Sequence, residues 1–374
     1  MHQYKYISAL LAALLLVGCG GGGAGDQTPK VKFTSQVSFG DSLSDVGSYK
    51  VGPVAAAGGG QFTVNGGGRN WTELMAAQSG LPVHCAALTG GFGVAATASA
   101  ACTGYAEGGA RVTNPIGIGY NTTTPAAGAM TVPVVTQIAN HLAAVGGSFS
   151  GGEIVYVWAG ANDIFAQLGG LTAAVTAQVG ADIASGACVP ADAQATNCVP
   201  AATTKAVTAA VTAVATAAGE LVALVNTQMI AKGATHVVIL NIPDMTSTPS
   251  ALTLSASAKG ILGTMVDTYN AQLKTGVAGN AKVLLVDINT VNKDQIANPA
   301  IYGLSNVTGM ACDMTVAIQA PAAFNATSLV CNTSNVIAGS SNYLFADGSG
   351  HPTPYVHVLI ARLVSKEMIV KGWM

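Results

Sequence analysis

Short apolar segments alternate along this chain with longer segments of helical periodicity. Four segments rich in β-branched residues are predicted to be strands buried on both faces: residues 37–39, 154–158, 236–241 and 282–287. Apolar residues recur at helical spacing in four others: residues 134–144, 203–232, 251–274 and 354–370. This order predicts an α/β fold, with a doubly wound, mainly parallel sheet flanked by helices.

Three segments lack such periodicity and are rich in Gly, Ala, Ser and Thr: residues 58–68, 89–103 and 184–204. We expect them to be long surface loops. For residues 58–68, low-complexity disorder is the alternative interpretation. About 345 residues remain once the N-terminal leader is set aside, which is enough for a single domain over residues 31–374.

Composition and net charge bear on whether this is a membrane protein or a nucleic-acid-binding protein. Only 9% of the residues are charged and the mean hydropathy is +0.47, values that would suit a membrane protein. Alanine inflates the apolar count, however, and we expect no segment after the leader to span a membrane. The net charge of −2 offers no electrostatic basis for binding nucleic acid. We expect a monomer.

The N-terminus resembles an export signal. Lys5 precedes an apolar run over residues 7–17, which is shorter than the roughly 20 residues of a membrane span but suits a signal peptide over residues 1–18. The sequence Leu-Val-Gly-Cys that ends at Cys19 resembles a bacterial lipobox. The resemblance implies that Cys19 is lipidated, that residues 19–30 form a tether, and that the protein is an outer-membrane lipoprotein. A secreted protein cleaved slightly later is the alternative.

The other six cysteines form an even set in an exported chain, where disulfides are stable. Fifteen connectivities are possible, and proximity in sequence favours three bridges: Cys85 with Cys102, Cys188 with Cys198, and Cys312 with Cys331. We expect these bridges to hold loops near the ligand cleft. No C-x-x-C spacing occurs, so the sequence predicts no metal and no cofactor.

Residues suited to acyl transfer follow two of the predicted strands and recur near the end of the chain. Ser42 follows the first strand and Asn162 the second, and the carboxyl ends of parallel strands border the ligand crevice of such sheets. Asp347 and His351 lie close together in sequence. A serine hydroxyl becomes a nucleophile when an imidazole takes its proton and a carboxylate orients that imidazole. An amide can donate to the negative oxygen of the intermediate.

Four motifs carry a resemblance to a known family. They are Phe-Gly-Asp-Ser-Leu-Ser-Asp at residues 39–45, Tyr-Ala-Glu-Gly-Gly-Ala at 105–110, Gly-Ala-Asn-Asp at 160–163 and His-Pro-Thr at 351–353. In this order they resemble the conserved blocks of the SGNH or GDSL hydrolases, and residues 235–244 resemble the family's central strand and loop. The resemblance implies a flavodoxin-like three-layer sandwich and a serine esterase or lipase.

The family's functional residues carry over to matching positions. The resemblance implies that Ser42 is the nucleophile and that the oxyanion hole consists of the Ser42 N–H, the Gly108 N–H and the Asn162 amide; Gly109 is the alternative to Gly108. The family spaces its acid and base as D-x-x-H, whereas one more residue separates Asp347 from His351. We expect the glycines at 348 and 350 to absorb the insertion.

Other interpretations of these residues remain open. Ser42 could cap a turn in an inactive relative, Asn162 could cap a helix, and His357 is the rival base. We expect Asp41, Asp45 and Asp163 to be structural, as well as three further histidines: His84, His141 and His236. No G-x-S-x-G sequence surrounds Ser42, which argues against the ordinary α/β-hydrolases. Besides an esterase, a polysaccharide O-acetylesterase, an acyltransferase or an inactive surface-binding lipoprotein would fit.

Overall fold

The computed structural model describes residues 31–189, 198–316 and 327–374. The strands in this part of the chain are β1 (Ser35–Gly40), β2 (Leu88–Gly91), β3 (Val94–Ala98), β4 (Glu153–Trp158), β5 (His236–Leu240), β6 (Val283–Val286), β7 (Asn306–Met310) and β8 (Tyr343–Phe345). The helices are α1 (Gly52–Ala56), α2 (Trp71–Gln78), α3 (Val134–Ala144), α4 (Ala161–Ala184), α5 (Cys198–Leu224), α6 (Pro249–Leu252), α7 (Ala256–Val277), α8 (Ile288–Ala297) and α9 (Pro354–Lys371).

The main sheet is parallel, with the order β1-β4-β5-β6. On the other side of β1, Ser38 N–H donates to Thr103 O at 3.1 Å and Tyr105 N–H donates to Ser38 O at 2.8 Å. The segment around Gly104 therefore extends the sheet beyond β1, as a parallel bridge. The strand order reverses at β1, which makes its carboxyl end a topological switch point of the kind where ligands bind. The predicted doubly wound α/β fold is confirmed.

Helices cover both faces of this sheet, as the alternation along β4 shows. Val155 and Val157 pack into a core layer shared with α3, α5 and α7. Tyr156 and Trp158 point to the opposite layer, which α2 and α9 complete. Every residue of β4 is buried, which accounts for its almost continuous apolar sequence.

The structure differs from the predicted elements at several places. Helix α3 has its predicted bounds, but α4 was not predicted, because it is exposed over most of its length and shows little periodicity. Helix α5 begins inside the predicted loop at 184–204 and continues as a π-helix, Val225–Ile230. The predicted loop at 89–103 contains the antiparallel β2–β3 hairpin. Residues 58–68 form neither helix nor strand, as predicted.

All three predicted disulfides are present: Cys85–Cys102, Cys188–Cys198 and Cys312–Cys331. The expectation that they lie near the cleft is wrong for Cys188–Cys198. This bridge joins the segment after α4 to the first residue of α5. Helix α4 starts at the carboxyl edge of the sheet and is about 36 Å long, at roughly 1.5 Å per residue. The disulfide therefore closes the far end of a helical hairpin.

Among the residues that the structure describes, two helices have the length and apolar composition to cross a membrane, Ala161–Ala184 and Cys198–Lys232. This corrects the expectation that no segment after the leader would be long and apolar enough to span a membrane. One face of α5 nevertheless packs into the core layer beside the sheet. The predicted signal peptide, Cys19 and the tether lie outside the described residues.

Candidate active site

The loop after β1 presents Ser42 at the carboxyl edge of the sheet. Gly40 has φ = 146°, and a Cβ there would lie 2.0 Å from Trp158 O, so that only glycine fits against β4 at this point. Asp41 accepts the Leu43 N–H at 3.0 Å through its side chain. Asp41 thus organises the serine turn, as expected. Burial raises the pKa of Asp41 to about 7 against the opposing effect of the Leu43 N–H.

Ser42, His351 and Asp347 form a continuous hydrogen-bonded chain. Ser42 Oγ lies 2.8 Å from His351 Nε2, and His351 Nδ1 lies 2.6 Å from Asp347 Oδ2. The two contacts involve opposite nitrogens of one imidazole. This is the arrangement in which the carboxylate fixes the imidazole tautomer and the other nitrogen takes the hydroxyl proton. The carboxyl group is fully buried, and the serine and histidine are each 8% exposed.

The backbone at Gly350 accommodates the extra residue between Asp347 and His351. This glycine has φ = 102°, a left-handed conformation that side chains disfavour. Gly348, the other expected site of adjustment, has no positive φ. The intervening Ser349 takes a direct part, because its hydroxyl donates to Asp347 Oδ1 at 2.7 Å. The longer spacing therefore adds a hydrogen bond to the acid.

Asp347 has hydrogen-bond donors on both oxygens. Besides His351 and Ser349, the backbone N–H of Ser328 donates to Oδ2 at 2.6 Å. Burial by itself would raise the pKa of Asp347, but the charge of His351 and these hydrogen bonds hold the pKa below its ordinary value. Asp347 is therefore ionised at neutral pH. Ser328 was not predicted, since nothing in the sequence links it to a residue 19 positions away.

The predicted oxyanion donors lie on three different segments. The Ser42 N–H has no acceptor among the described residues. Asn162 is the second residue of α4, whose N-cap is Gly160, so the alternative interpretation of Asn162 as the N-cap is wrong. Its amide nitrogen donates to Ala110 O at 2.9 Å. The nitrogen carries a second hydrogen, and the side chain lines the same cleft as Ser42.

The structure corrects the choice between Gly108 and Gly109 as the backbone donor of the oxyanion hole. The Gly108 N–H, which was the favoured donor, is already donated to Asp45 Oδ2 at 2.9 Å. The Gly109 N–H has no acceptor among the described residues, and Gly109 lines the cleft together with Ser42 and Asn162. The hydrogen bonding therefore favours Gly109, the alternative named from the sequence, as the free backbone donor.

Two buried carboxylates hold the loop that carries these glycines. Asp45 accepts not only the Gly108 N–H but also the backbone N–H groups of Gly47 and Ser48, at 2.8 and 2.7 Å. Asp163 accepts the Val112 N–H at 3.0 Å and pairs with Arg111 at the same distance. Both aspartates are therefore structural, as expected from the sequence.

The rival base, His357, faces away from this chemistry. It is buried, and its Nδ1 accepts the Trp71 N–H at 3.3 Å. Burial lowers the pKa of His357 to about 3, so that the ring is neutral. The other three histidines of the described residues also lie in structural surroundings: His84 contacts Ser38 Oγ, His141 packs among aromatic rings, and His236 contacts Trp373.

A cleft of about 420 Å³ contains Ser42, Asn162 and His351. Its lining is mainly apolar, and the ring of Phe62 packs against the His351 ring at a centroid distance of 5.0 Å. The aromatic and large aliphatic lining residues include Tyr49, Phe62, Phe92, Ile118, Phe165, Met245, Ile288, Leu344, Phe345, Val356 and Ile360. A cleft of this size and character suits an apolar ligand with a few polar anchoring points.

The α/β fold and the hydrogen-bonded serine, histidine and aspartate at its switch point define a serine hydrolase. The sequence profile of the GDSL-like Lipase/Acylhydrolase family matches residues 37–364. This range covers most of the chain and includes all four motifs, so the protein belongs to this family. Membership implies a general acylhydrolase activity. None of the curated proteins compared with the chain matches it.

Proposed function

We propose that the protein is an esterase that hydrolyses carboxylic esters through an acyl-enzyme on Ser42. The observation that carries the proposal is the 2.8 Å contact between Ser42 Oγ and His351 Nε2, because this contact gives the hydroxyl a base. His351 takes the serine proton as Ser42 attacks the ester carbonyl. It then delivers this proton to the leaving alcohol, and afterwards activates the water that releases the acid.

Asp347 and the oxyanion donors support these steps differently. The ionised Asp347 stabilises the imidazolium that forms when His351 takes the proton. Three donors hold the negative oxygen of the tetrahedral intermediate: the N–H of Ser42, the N–H of Gly109 and the amide of Asn162. Each such donor contributes about 3 kcal/mol to lowering the barrier.

The lining of the cleft favours an acyl ester over an acetylated polysaccharide. Sugar rings need many hydrogen-bonding partners, whereas Phe62, Phe92 and Ile118 offer an apolar wall beside the catalytic residues. The substrate that we propose therefore carries a hydrocarbon chain on at least one side of the ester bond.

The decisive experiment compares Ser42→Ala with the wild type on p-nitrophenyl butyrate, with Ser341→Ala as the matched control at an exposed serine. We expect Ser42→Ala to lose activity by at least about 1,000-fold and to resist a fluorophosphonate probe that labels the wild type. Asn162→Ala should lower kcat by about 100-fold or more. Undiminished turnover by Ser42→Ala would overturn the proposal.

We also propose that Cys19 is lipidated and anchors the enzyme to the bacterial outer membrane. The support is the lipobox resemblance at residues 16–19 and the Gly-rich tether that follows it. Expression of Cys19→Ala in a bacterial host should move esterase activity from the membrane fraction to the soluble fraction. Activity that stays in the membrane fraction would contradict the anchor.

A further inference from the structure

Helix α8 forms part of the wall of the catalytic cleft. Ile288, Asn292 and Gln295 all line it, and their spacing of four and three residues places them on one face of the helix. Val356 and Ile360 line the same cleft from α9, which begins three residues after His351. Ile288 and Gln295 are seven residues apart along α8, which corresponds to a rise of roughly 10 Å at about 1.5 Å per residue.

The part of the cleft wall formed by α8 is apolar at Ile288 and polar at Asn292 and Gln295. Asn292 is 6% exposed and Gln295 is 2% exposed, so both amides are almost removed from solvent. Buried amides normally have hydrogen-bond partners, because a missing partner is costly. The partners of these two amides therefore show what this part of the cleft can bind.

The two amides form a chain with a fixed direction. The Asp244 N–H donates to Asn292 Oδ1 at 3.2 Å, and Asn292 Nδ2 is 3.4 Å from Gln295 Oε1. The first bond orients the Asn292 amide, and the second orients the Gln295 amide with its oxygen toward Asn292. No hydrogen bond from its Nε2 group to an acceptor is found among the residues that the structure describes. The chain thus ends at the amide N–H of a residue that is almost fully buried and lines the cleft.

We infer that Gln295 is the donor of a second, polar subsite, which binds a hydrogen-bond acceptor remote from the scissile ester. The inference rests on the proposed esterase function and narrows its substrate class. A simple alkyl chain leaves this donor unpaired, whereas a chain with a second carbonyl pairs it. The preferred substrates are therefore esters whose acyl chain carries a further ester carbonyl, as in oligoesters.

The test compares two series of p-nitrophenyl esters matched in chain length. One series has plain alkanoyl groups, and the other has acyl chains that end in a methoxycarbonyl group. At the length that reaches Gln295, we expect kcat/KM to be about three- to tenfold higher for the methoxycarbonyl ester, which is the effect of one hydrogen bond. Equal rates at every length would overturn the subsite.

Substitution then assigns the preference to the donor. Gln295→Met keeps the length of the side chain but removes the amide, so the preference for the methoxycarbonyl ester over the plain ester of the same length should disappear. Gln178→Met makes the same change on α4, outside the cleft, and should keep the preference. A preference that survives in Gln295→Met would contradict the inference. Failure to hydrolyse either series would instead overturn the esterase function itself.

Discussion

Asp45 Oδ2 accepts the Gly108 N–H at 2.9 Å. An aspartate three residues after the nucleophile thereby holds the loop that presents Gly109 to the cleft. Asp45 is fully buried, and it also accepts bonds from Gly47 and from Ser48. The distance between nucleophile and backbone donor therefore depends on this carboxylate.

Asp45→Asn should weaken transition-state stabilisation more than substrate binding. An amide has one acceptor oxygen where the carboxylate has two, so at least one bond to the Gly109 loop or to the serine turn is lost. We expect kcat for p-nitrophenyl butyrate to fall about tenfold with little change in KM, and the free energy of unfolding to fall by about 1–3 kcal/mol. Asp267→Asn, at an exposed position of α7, is the control. A changed KM with an unchanged kcat would contradict this role.

Asp347→Asn should leave the fold in place and nearly abolish turnover. The amide cannot stabilise the imidazolium of His351, and it favours the wrong imidazole tautomer. The expected loss in kcat is about 1,000- to 10,000-fold, measured with p-nitrophenyl butyrate beside the exposed control Asp267→Asn. If kcat falls less than tenfold, Asp347 is not the acid of this site.

Two disulfides should differ in their effect on activity. Cys331 N–H donates to Ser328 O at 2.9 Å, and Ser328 donates to the catalytic acid. Removing the Cys312–Cys331 bridge by a double alanine substitution should therefore lower kcat as well as stability, the latter by roughly 3 kcal/mol. Removing the Cys188–Cys198 bridge should cost a similar amount of stability and leave kcat unchanged. Equal kcat values for the two double variants would disprove the difference.

The buried Glu107 should make stability fall toward alkaline pH. Burial raises the pKa of Glu107 to about 8, against the lowering effect of the Val132 N–H. The folded protein therefore holds a proton that the unfolded chain, with an ordinary glutamate pKa near 4.5, has already lost. This contribution is complete below pH 4.5 and is lost as the pH rises through 8.

Urea denaturation of the wild type and Glu107→Gln between pH 5 and pH 9 measures this effect. The stability of the wild type relative to the variant should decrease from pH 5 to about pH 8 and then level off, with a total change on the order of 4 kcal/mol. Glu367→Gln, on the final helix, serves as the control. A constant difference between wild type and Glu107→Gln at all pH values would show that Glu107 does not hold the proton.

The sequence alone predicted the parallel strands and the family, and it pointed to Ser42, Asn162 and His351 as candidate site residues. These features are local: a strand buried on both faces is continuously apolar, and each motif lies within a few consecutive residues. The disulfides could also be paired from the sequence, because each bridge spans fewer than 20 residues.

Only the tertiary structure decided which glycine has a free N–H and what surrounds the catalytic acid. Gly108 and Gly109 are adjacent in sequence, and the carboxylate that distinguishes them is 63 residues away. The backbone of Ser328 and the polar end of the cleft at Gln295 likewise left no signal in the pattern of residues. A hydrogen bond depends on where two groups meet in space, and between distant segments that is set by the packing of the whole domain.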